Sequence, residues 1–201
     1  MNMMPENSEP LQVVFIVTDV LENLRVPYVI VGSFASAVHG VARATMDADI
    51  LADLHEEHLQ TFIAALQTAF YVDEEMIRDA VTRRGSFNLI HSETFFKVDI
   101  FVSRERIFEK DEIKRRVAIN VSDEPPQSAY FASAEDVVLA KLEWYRLGGE
   151  VSDRQWNDIL GILKVQASTL DKDYLANSAR ALIILDLLDR ALAEAGIGSD
   201  E

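Results

Sequence analysis

The sequence predicts an α+β protein in which a mixed β-sheet flanked by helices precedes a C-terminal helical bundle. Short apolar runs, period-two alternation and helical periodicity are mixed before Tyr130, whereas helical periodicity alone follows it. With 201 residues, 49% of them apolar, the chain can also bury a sizeable core. We therefore predict an α/β domain with an N-terminal helix at residues 1–132 and a helical region at residues 133–201.

Helices and strands alternate in the first quarter of the chain. Apolar residues at helical spacing predict a helix over residues 10–25. Pro27 ends it, because the residue before a proline is disfavoured in a helix. The pattern then predicts, in order, a strand at 28–31, a turn at 32–33, a short helix at 34–39 and a strand at 47–53.

The middle of the chain predicts one further helix and a β-hairpin. The helix covers residues 56–70, and the hairpin arms cover 86–90 and 95–102. Side chains alternate along the second arm, so Lys97 and Asp99 share one face. Asp99 is therefore a charge on an otherwise apolar strand. The remaining predictions are a short strand and one or two helical turns within 71–84, a strand at 115–121 and a loop at Pro125-Pro126.

Capping residues mark the helices of the last third. Ser133 is a plausible N-cap for a helix that continues to Leu147 and stops at Gly148-Gly149. Ser152 and Gln155 form a capping-box pattern that opens a helix ending near residue 167. Residues 171–179 and 181–195 form either one interrupted helix or two packed helices.

Composition excludes several classes of function. The net charge of −15 argues against a long nucleic-acid groove. Residues 78–116 carry a small local excess of Lys and Arg, for which scattered solvated charges are the more common explanation. The absence of cysteine excludes disulfides and thiolate metal sites. No leader pattern or membrane-length apolar run is present, so we expect a cytoplasmic protein with no membrane partner.

Asp47 and Asp49 are the first candidates for chemistry. Two residues apart in a strand, they point the same way with Cα atoms roughly 6.5 to 7 Å apart. This spacing suits one or two hard cations, Mg²⁺ or Mn²⁺. Asp99 could supply a third carboxylate and help deprotonate an incoming hydroxyl. Capping and turn roles are the common alternative for such aspartates, whereas an EF-hand loop is excluded because its glycine position falls on Ala52.

The spacing of these motifs resembles a known superfamily. Gly32-Ser33, thirteen residues, Asp47-Ala48-Asp49 and a separate Val98-Asp99-Ile100 resemble the signature of nucleotidyltransferases of the DNA polymerase beta type. The series Arg43-x-Thr45-x-Asp47-x-Asp49 further resembles the minimal bacterial branch found in toxin–antitoxin and abortive-infection systems. The resemblance implies a nucleotidyltransferase-like sheet followed by a helical appendage.

The resemblance also implies roles for individual residues. Asp47, Asp49 and Asp99 would bind Mg²⁺ or Mn²⁺, and Asp99 would also orient the acceptor hydroxyl. The residues implied to contact the nucleoside triphosphate are Gly32, Ser33, Arg43 and Lys141. A lysine on an amphipathic helix more often extends into solvent. Asp158, at helical spacing beside Trp156 and Ile159, could pair with Arg154, four residues earlier.

Three function classes remain open from the sequence. The first is an enzyme that moves a nucleoside monophosphate from a nucleoside triphosphate to a hydroxyl of a protein, a small molecule or an RNA end. The second is a catalytically silent binding module of the same fold, such as an antitoxin component with a protein partner. The third is a glycosyltransferase Asp-x-Asp site, which leaves the Gly32-Ser33 spacing and Asp99 unexplained.

Overall fold

The computed structural model describes residues 9–40, 45–123 and 126–198. Within these ranges the chain forms one seven-stranded sheet and nine helices. None of these helices is long and apolar enough to cross a membrane. The elements are α1 (Glu9–Asn23), β1 (Tyr28–Val31), α2 (Gly32–His39), β2 (Asp47–Ala52), α3 (Glu56–Leu66), β3 (Phe70–Tyr71), α4 (Glu74–Arg83), β4 (Ser86–His91), β5 (Lys97–Val102), α5 (Ile107–Arg115), β6 (Val117–Asp123), β7 (Pro126–Phe131), α6 (Ala134–Leu147), α7 (Asp153–Gln166), α8 (Lys172–Ala181) and α9 (Leu185–Ala195).

The sheet is mixed, as predicted. Its strand order is β3-β4-β5-β2-β1-β7-β6. The pairs β2–β5 and β1–β7 are parallel, and the other neighbouring strands are antiparallel. The central strands β1, β2 and β5 are paired on both edges, and Val29, Ile50 and Val98 are among their buried residues.

The described residues form two compact units. One contains residues 9–34 and 45–132 apart from 124–125, and the other contains 35–40 and 133–198. The chain thus passes from the sheet unit to the helical unit inside α2, belongs to the sheet unit again from residue 45, and passes to the helical unit a second time after Ala132. In the helical unit, Trp156 lies 5.1 Å from the Tyr145 ring, and the Arg190 guanidinium lies 4.2 Å from the Trp156 ring.

Two elements of the sheet unit differ from the predicted boundaries. α3 ends at Leu66 rather than at residue 70, because Phe70 is buried and pairs with His91 in the short strand β3. α4 has ten residues instead of one or two turns. Its N-cap Asp73 accepts a hydrogen bond from the backbone N–H of Met76 at 3.0 Å, which stabilises the first turn.

β5 begins at Lys97, two residues later than predicted. Phe95 adopts a left-handed φ of 58° and therefore belongs to the hairpin turn. Phe96 turns inward and packs edge-on against Phe34, with ring centroids 6.1 Å apart. The alternation that follows is the predicted one, since Val98, Ile100 and Val102 are buried and the intervening residues are less so.

The sequence patterns did not predict α5 and β7. β6 starts at Val117, after α5 has ended, and not at residue 115. The predicted loop at Pro125-Pro126 is wrong for Pro126, which is the first residue of β7, a position where a strand tolerates proline. Pro125 lies outside the described residues.

The predicted starts of α6 and α7 are confirmed, whereas the last helix starts at Leu185 and not at residue 181, which is the end of α8. The Ser133 hydroxyl accepts a hydrogen bond from the backbone N–H of Asp136 (3.2 Å), and the Ser152 hydroxyl accepts one from Gln155 (3.3 Å). Of the two alternatives for the end of the chain, the structure shows two helices, α8 and α9. Ile183 separates them, because its φ of 60° cannot continue a right-handed helix.

We expect the substitution Ile183→Asn to stabilise the protein. Ile183 is 82% exposed, so little packing is lost, and a β-branched residue is costly in the left-handed region that asparagine tolerates. The free energy of unfolding should rise by about 1 kcal/mol, measured by urea denaturation. Val151→Asn is the matched control, since Val151 is 81% exposed and has no left-handed φ. Equal stability changes in the two variants would contradict the prediction.

Candidate active site

Three aspartates lie on one face of the sheet, at the end where β2 and β5 begin. β2 and β5 are parallel and paired in register, so Asp47 faces Lys97 and Asp49 faces Asp99. Residues directly opposite each other on paired strands project their side chains to the same side of the sheet. Ala48 and Ile50 point to the opposite face and are buried. The structure thus brings together Asp47, Asp49 and Asp99, which we call the aspartate cluster.

Gly32 closes one side of the aspartate cluster. β1 pairs antiparallel with β2, and Val31 faces Asp49, so the chain enters α2 directly beside the Asp49 carboxylate. A Cβ atom added to Gly32 would lie 2.0 Å from Oδ2 of Asp49. Gly32 also has a φ of 61°. The predicted turn at Gly32-Ser33 is in fact the first turn of α2, and Gly32 is required there both by its backbone and by the approach of Asp49.

Lys97 is the cation of the cluster, and the sequence analysis did not select it as a site residue. Its Nζ lies 2.6 Å from Oδ2 of Asp99 and 4.0 Å from Oδ2 of Asp47. The hydrogen bond to Asp99 raises the pKa of Lys97, and the charges of Asp99, Asp47 and Asp49 add to this against the effect of desolvation. The alternation of side chains along β5 had already placed Lys97 on the same face as Asp99, and this pattern could have identified it as a site residue.

Thr45 positions the carboxylate of Asp47. Its hydroxyl lies 3.0 Å from Oδ1 and 3.1 Å from the backbone carbonyl of Asp47, so it can donate to either oxygen. This gives Thr45 of the Arg43-x-Thr45 motif a role within the site. Arg43 itself lies outside the described residues, and its contact with phosphate stays a prediction.

The aspartate cluster offers the type of ligand that a hard divalent cation binds. Carboxylate oxygens are the ligands that Mg²⁺ and Mn²⁺ prefer. Because Gly32 has no side chain, the Asp49 carboxylate can lie close to the start of α2. Across the described residues, however, no three histidine, aspartate or glutamate side chains are arranged to hold a metal ion. The ammonium of Lys97 stands next to Asp99 instead.

Lys141 belongs to the helical unit and is neither solvated nor exposed. Its side chain is 11% exposed, and its Nζ donates to Oδ2 of Asp158 at 2.9 Å. The alternative that Lys141 extends into solvent is therefore wrong. Asp158, expected to pair with Arg154, pairs with Lys141. A contact of Lys141 with phosphate stays a prediction.

Comparison with known proteins identifies the fold. Neither protein-family models nor curated protein sequences give a match. Among solved structures, an antigenic nucleotidyltransferase-like protein from Paracoccidioides brasiliensis matches with a TM-score of 0.58 and 15% identity, over 93% of this chain and 91% of that chain. The chain has a nucleotidyltransferase-like fold. This confirms the predicted fold class.

Two further solved structures share this nucleotidyltransferase-like fold. A lincosamide antibiotic adenylyltransferase with lincomycin bound matches with a TM-score of 0.50 and 15% identity, over 79% of this chain and 98% of that chain. The resistance factor ANT(2'')-Ia matches with a TM-score of 0.51 and 10% identity, over 92% of this chain and 94% of that chain. At such low identity the likeness concerns the fold, and activity has to be argued from the site.

Gly32→Ala should destabilise the protein by about 3 kcal/mol or more, or prevent folding, because the methyl group would overlap Asp49 in addition to the left-handed strain. Urea denaturation measures the change. Gly149→Ala is the matched control, since Gly149 has a φ of 76° and open space around its Cα. It should cost about 1 kcal/mol.

A double variant isolates the contact in this prediction. Asp49→Ala removes the two closest atoms, Oδ2 and Cγ, so it should recover part of the stability lost in Gly32→Ala. Strictly additive effects of Gly32→Ala and Asp49→Ala would contradict a direct contact.

Lys141→Met should destabilise the protein by about 3 kcal/mol, because it removes a charge-assisted hydrogen bond from Asp158, which is only 14% exposed. Thermal or urea unfolding gives the value. Lys164→Met, on an exposed position of α7, should stay within about 0.5 kcal/mol of the wild type. Similar stabilities of the two variants would show that the Lys141–Asp158 pair contributes nothing.

Proposed function

We propose that the protein is a metal-dependent nucleotidyltransferase. It would move a nucleoside monophosphate from a nucleoside triphosphate to a hydroxyl acceptor and release pyrophosphate. The observation that carries the proposal is the in-register pairing of β2 and β5, which places Asp99 opposite Asp49, the residue whose carboxylate lies beside Gly32 at the start of α2. The nucleotidyltransferase-like fold supports it. Neither feature alone would favour this reaction over a structural role for the aspartates.

The start of α2 provides the place for the triphosphate. Backbone N–H groups at a helix N-terminus and the helix dipole attract phosphate. Gly32 and Ser33 occupy that position, next to Asp49. Arg43 is the further cationic residue assigned to the phosphates in this proposal. A triphosphate beside three carboxylates needs compensating positive charge. A divalent metal ion bound by the carboxylates would supply it.

Asp47, Asp49 and Asp99 would hold Mg²⁺ or Mn²⁺. Such a cation, when bound, offsets phosphate charge and makes the acceptor hydroxyl more acidic. Asp99 would accept the hydroxyl proton on its carboxylate as the acceptor oxygen bonds to the α-phosphorus and the bond to pyrophosphate breaks. Thr45 would keep Asp47 oriented through its hydroxyl.

For the acceptor we propose a small molecule or a protein rather than a long polynucleotide. The net charge of −15 opposes binding of an extended phosphate backbone. Among the structural neighbours, one is an adenylyltransferase with lincomycin bound, and another structure shows ANT(2'')-Ia in complex with adenylyl-2''-tobramycin. Both neighbours are thus associated with small antibiotics. An RNA end is the competing acceptor that labelling experiments would reveal.

A catalytically silent module is the second candidate function. The ion pair of Lys97 with Asp99 favours it, because a permanent ammonium in the aspartate cluster would leave no place for a divalent cation at Asp99. Such a module would act by binding, with a protein partner of the toxin–antitoxin kind. The two candidates differ in whether the site transfers label.

Transfer should depend on the aspartate cluster. With Mg²⁺ or Mn²⁺, each α-labelled nucleoside triphosphate and a mixture of small hydroxyl compounds, proteins and RNA, the wild type should label one class of acceptor. Asp47→Asn and Asp99→Asn should lower the rate roughly 100-fold or more. Asp79→Asn is the control, because Asp79 is an exposed carboxylate on α4 that pairs with Arg83. Undiminished labelling by Asp47→Asn would exclude the proposed site, and the absence of labelling by the wild type would favour the silent module.

A further inference from the structure

We propose that Lys97 is a built-in counter-ion that competes with the divalent cation. In the metal-free protein its ammonium neutralises part of the aspartate cluster, and a cation that binds Asp99 displaces it. The inference rests on the proposed function, since it concerns the same site. It assigns Lys97 to regulation of metal binding, a role distinct from the ligand roles of the three aspartates.

The position of Lys97 in the sheet makes it a permanent part of the site. Lys97 is the first residue of β5 and faces Asp47 on β2 and Ile90 on β4. Because β5 is paired on both edges, the side chain cannot rotate to the other face without loss of the strand register. Any cation that approaches Asp99 therefore meets the Lys97 side chain.

Lys97 and a metal ion would compete for the same oxygen. Nζ of Lys97 lies 2.6 Å from Oδ2 of Asp99. Mg²⁺ binds carboxylate oxygens at about 2.0 to 2.1 Å and tolerates little distortion. Two positive groups at these distances from one oxygen would repel each other strongly. The ammonium must therefore leave Oδ2 when a divalent cation binds there.

The lysine is able to make this movement. Its side chain is 41% exposed, so the four-carbon stem can turn the ammonium into water while its base stays on β5. The three carboxylates then exchange one monovalent charge for a divalent one. The apparent metal affinity would thus be the intrinsic affinity of the three carboxylates, lowered by the free energy needed to break the Lys97–Asp99 ion pair.

The test replaces Lys97 with methionine, which keeps a similar stem and removes the charge. In chelator, Lys97→Met should melt about 2–4 °C below the wild type, because the carboxylates lose their counter-ion. Free Mn²⁺ measured by electron paramagnetic resonance should show binding roughly tenfold tighter in Lys97→Met than in the wild type. Stabilisation by saturating Mn²⁺ should likewise be larger in the variant.

Lys110→Met is the matched control. Nζ of Lys110 lies 3.3 Å from Oε2 of Glu105, and the Lys110 side chain is 59% exposed. Like Lys97→Met, this variant removes an exposed ion pair, but the pair lies outside the aspartate cluster. Its Mn²⁺ affinity should equal that of the wild type. Should Lys97→Met fail to fold, Lys97→Gln removes the same charge with a polar end and should give the same tightening.

The outcomes separate this inference from the proposed function. Equal or weaker Mn²⁺ binding by both Lys97 variants, with clear binding by the wild type, would overturn the competition and leave the metal site intact. No Mn²⁺ binding by the wild type and the variants would overturn the metal site and the inference together. Tighter binding by the Lys97 variants alone supports both.

Discussion

The approach of the Asp49 carboxylate to the Cα of Gly32 is the contact on which the site depends. It requires that β1 end at Val31, beside Asp49, and that α2 begin at once from a residue without a side chain. The pairing of β2 with β5 then adds Asp99 at the position facing Asp49. A helix start and two carboxylates thus meet at one end of the sheet because of backbone pairing, not because of loop conformation.

This arrangement places like charges on one face of two central strands. Three carboxylates repel one another, and the apolar residues of the opposite face compensate by burial, as Ala48, Ile50 and Val98 show. Lys97 reduces the repulsion locally through its ion pair with Asp99. Under the proposed function, each change of charge in the aspartate cluster would alter both the stability of the strands and the affinity for a divalent cation.

Local signals predicted most of the elements, whereas the missed strand β7 depends on non-local pairing. The N-caps Ser133 and Ser152 and the alternation along β5 act within a few residues and were visible in the sequence. β7 pairs with β1 about a hundred residues earlier, so no local pattern identifies it. Lys97 illustrates both cases, because its face follows from alternation but its contact with Asp47 depends on the register of β2 and β5.

The ion pair of Lys97 is also the point at which the enzyme and the silent module differ physically. Low sequence identity to the structural neighbours leaves activity to be decided by the site. In a silent module the ammonium would stay on Asp99, and the cluster would be a structural ion pair. In an enzyme the partial exposure of Lys97 allows it to leave, so the same residue stabilises the empty site and yields to the cation. Whether a divalent cation can replace the Lys97 ammonium at Asp99 would therefore distinguish a nucleotidyltransferase from a silent binding module of the same fold.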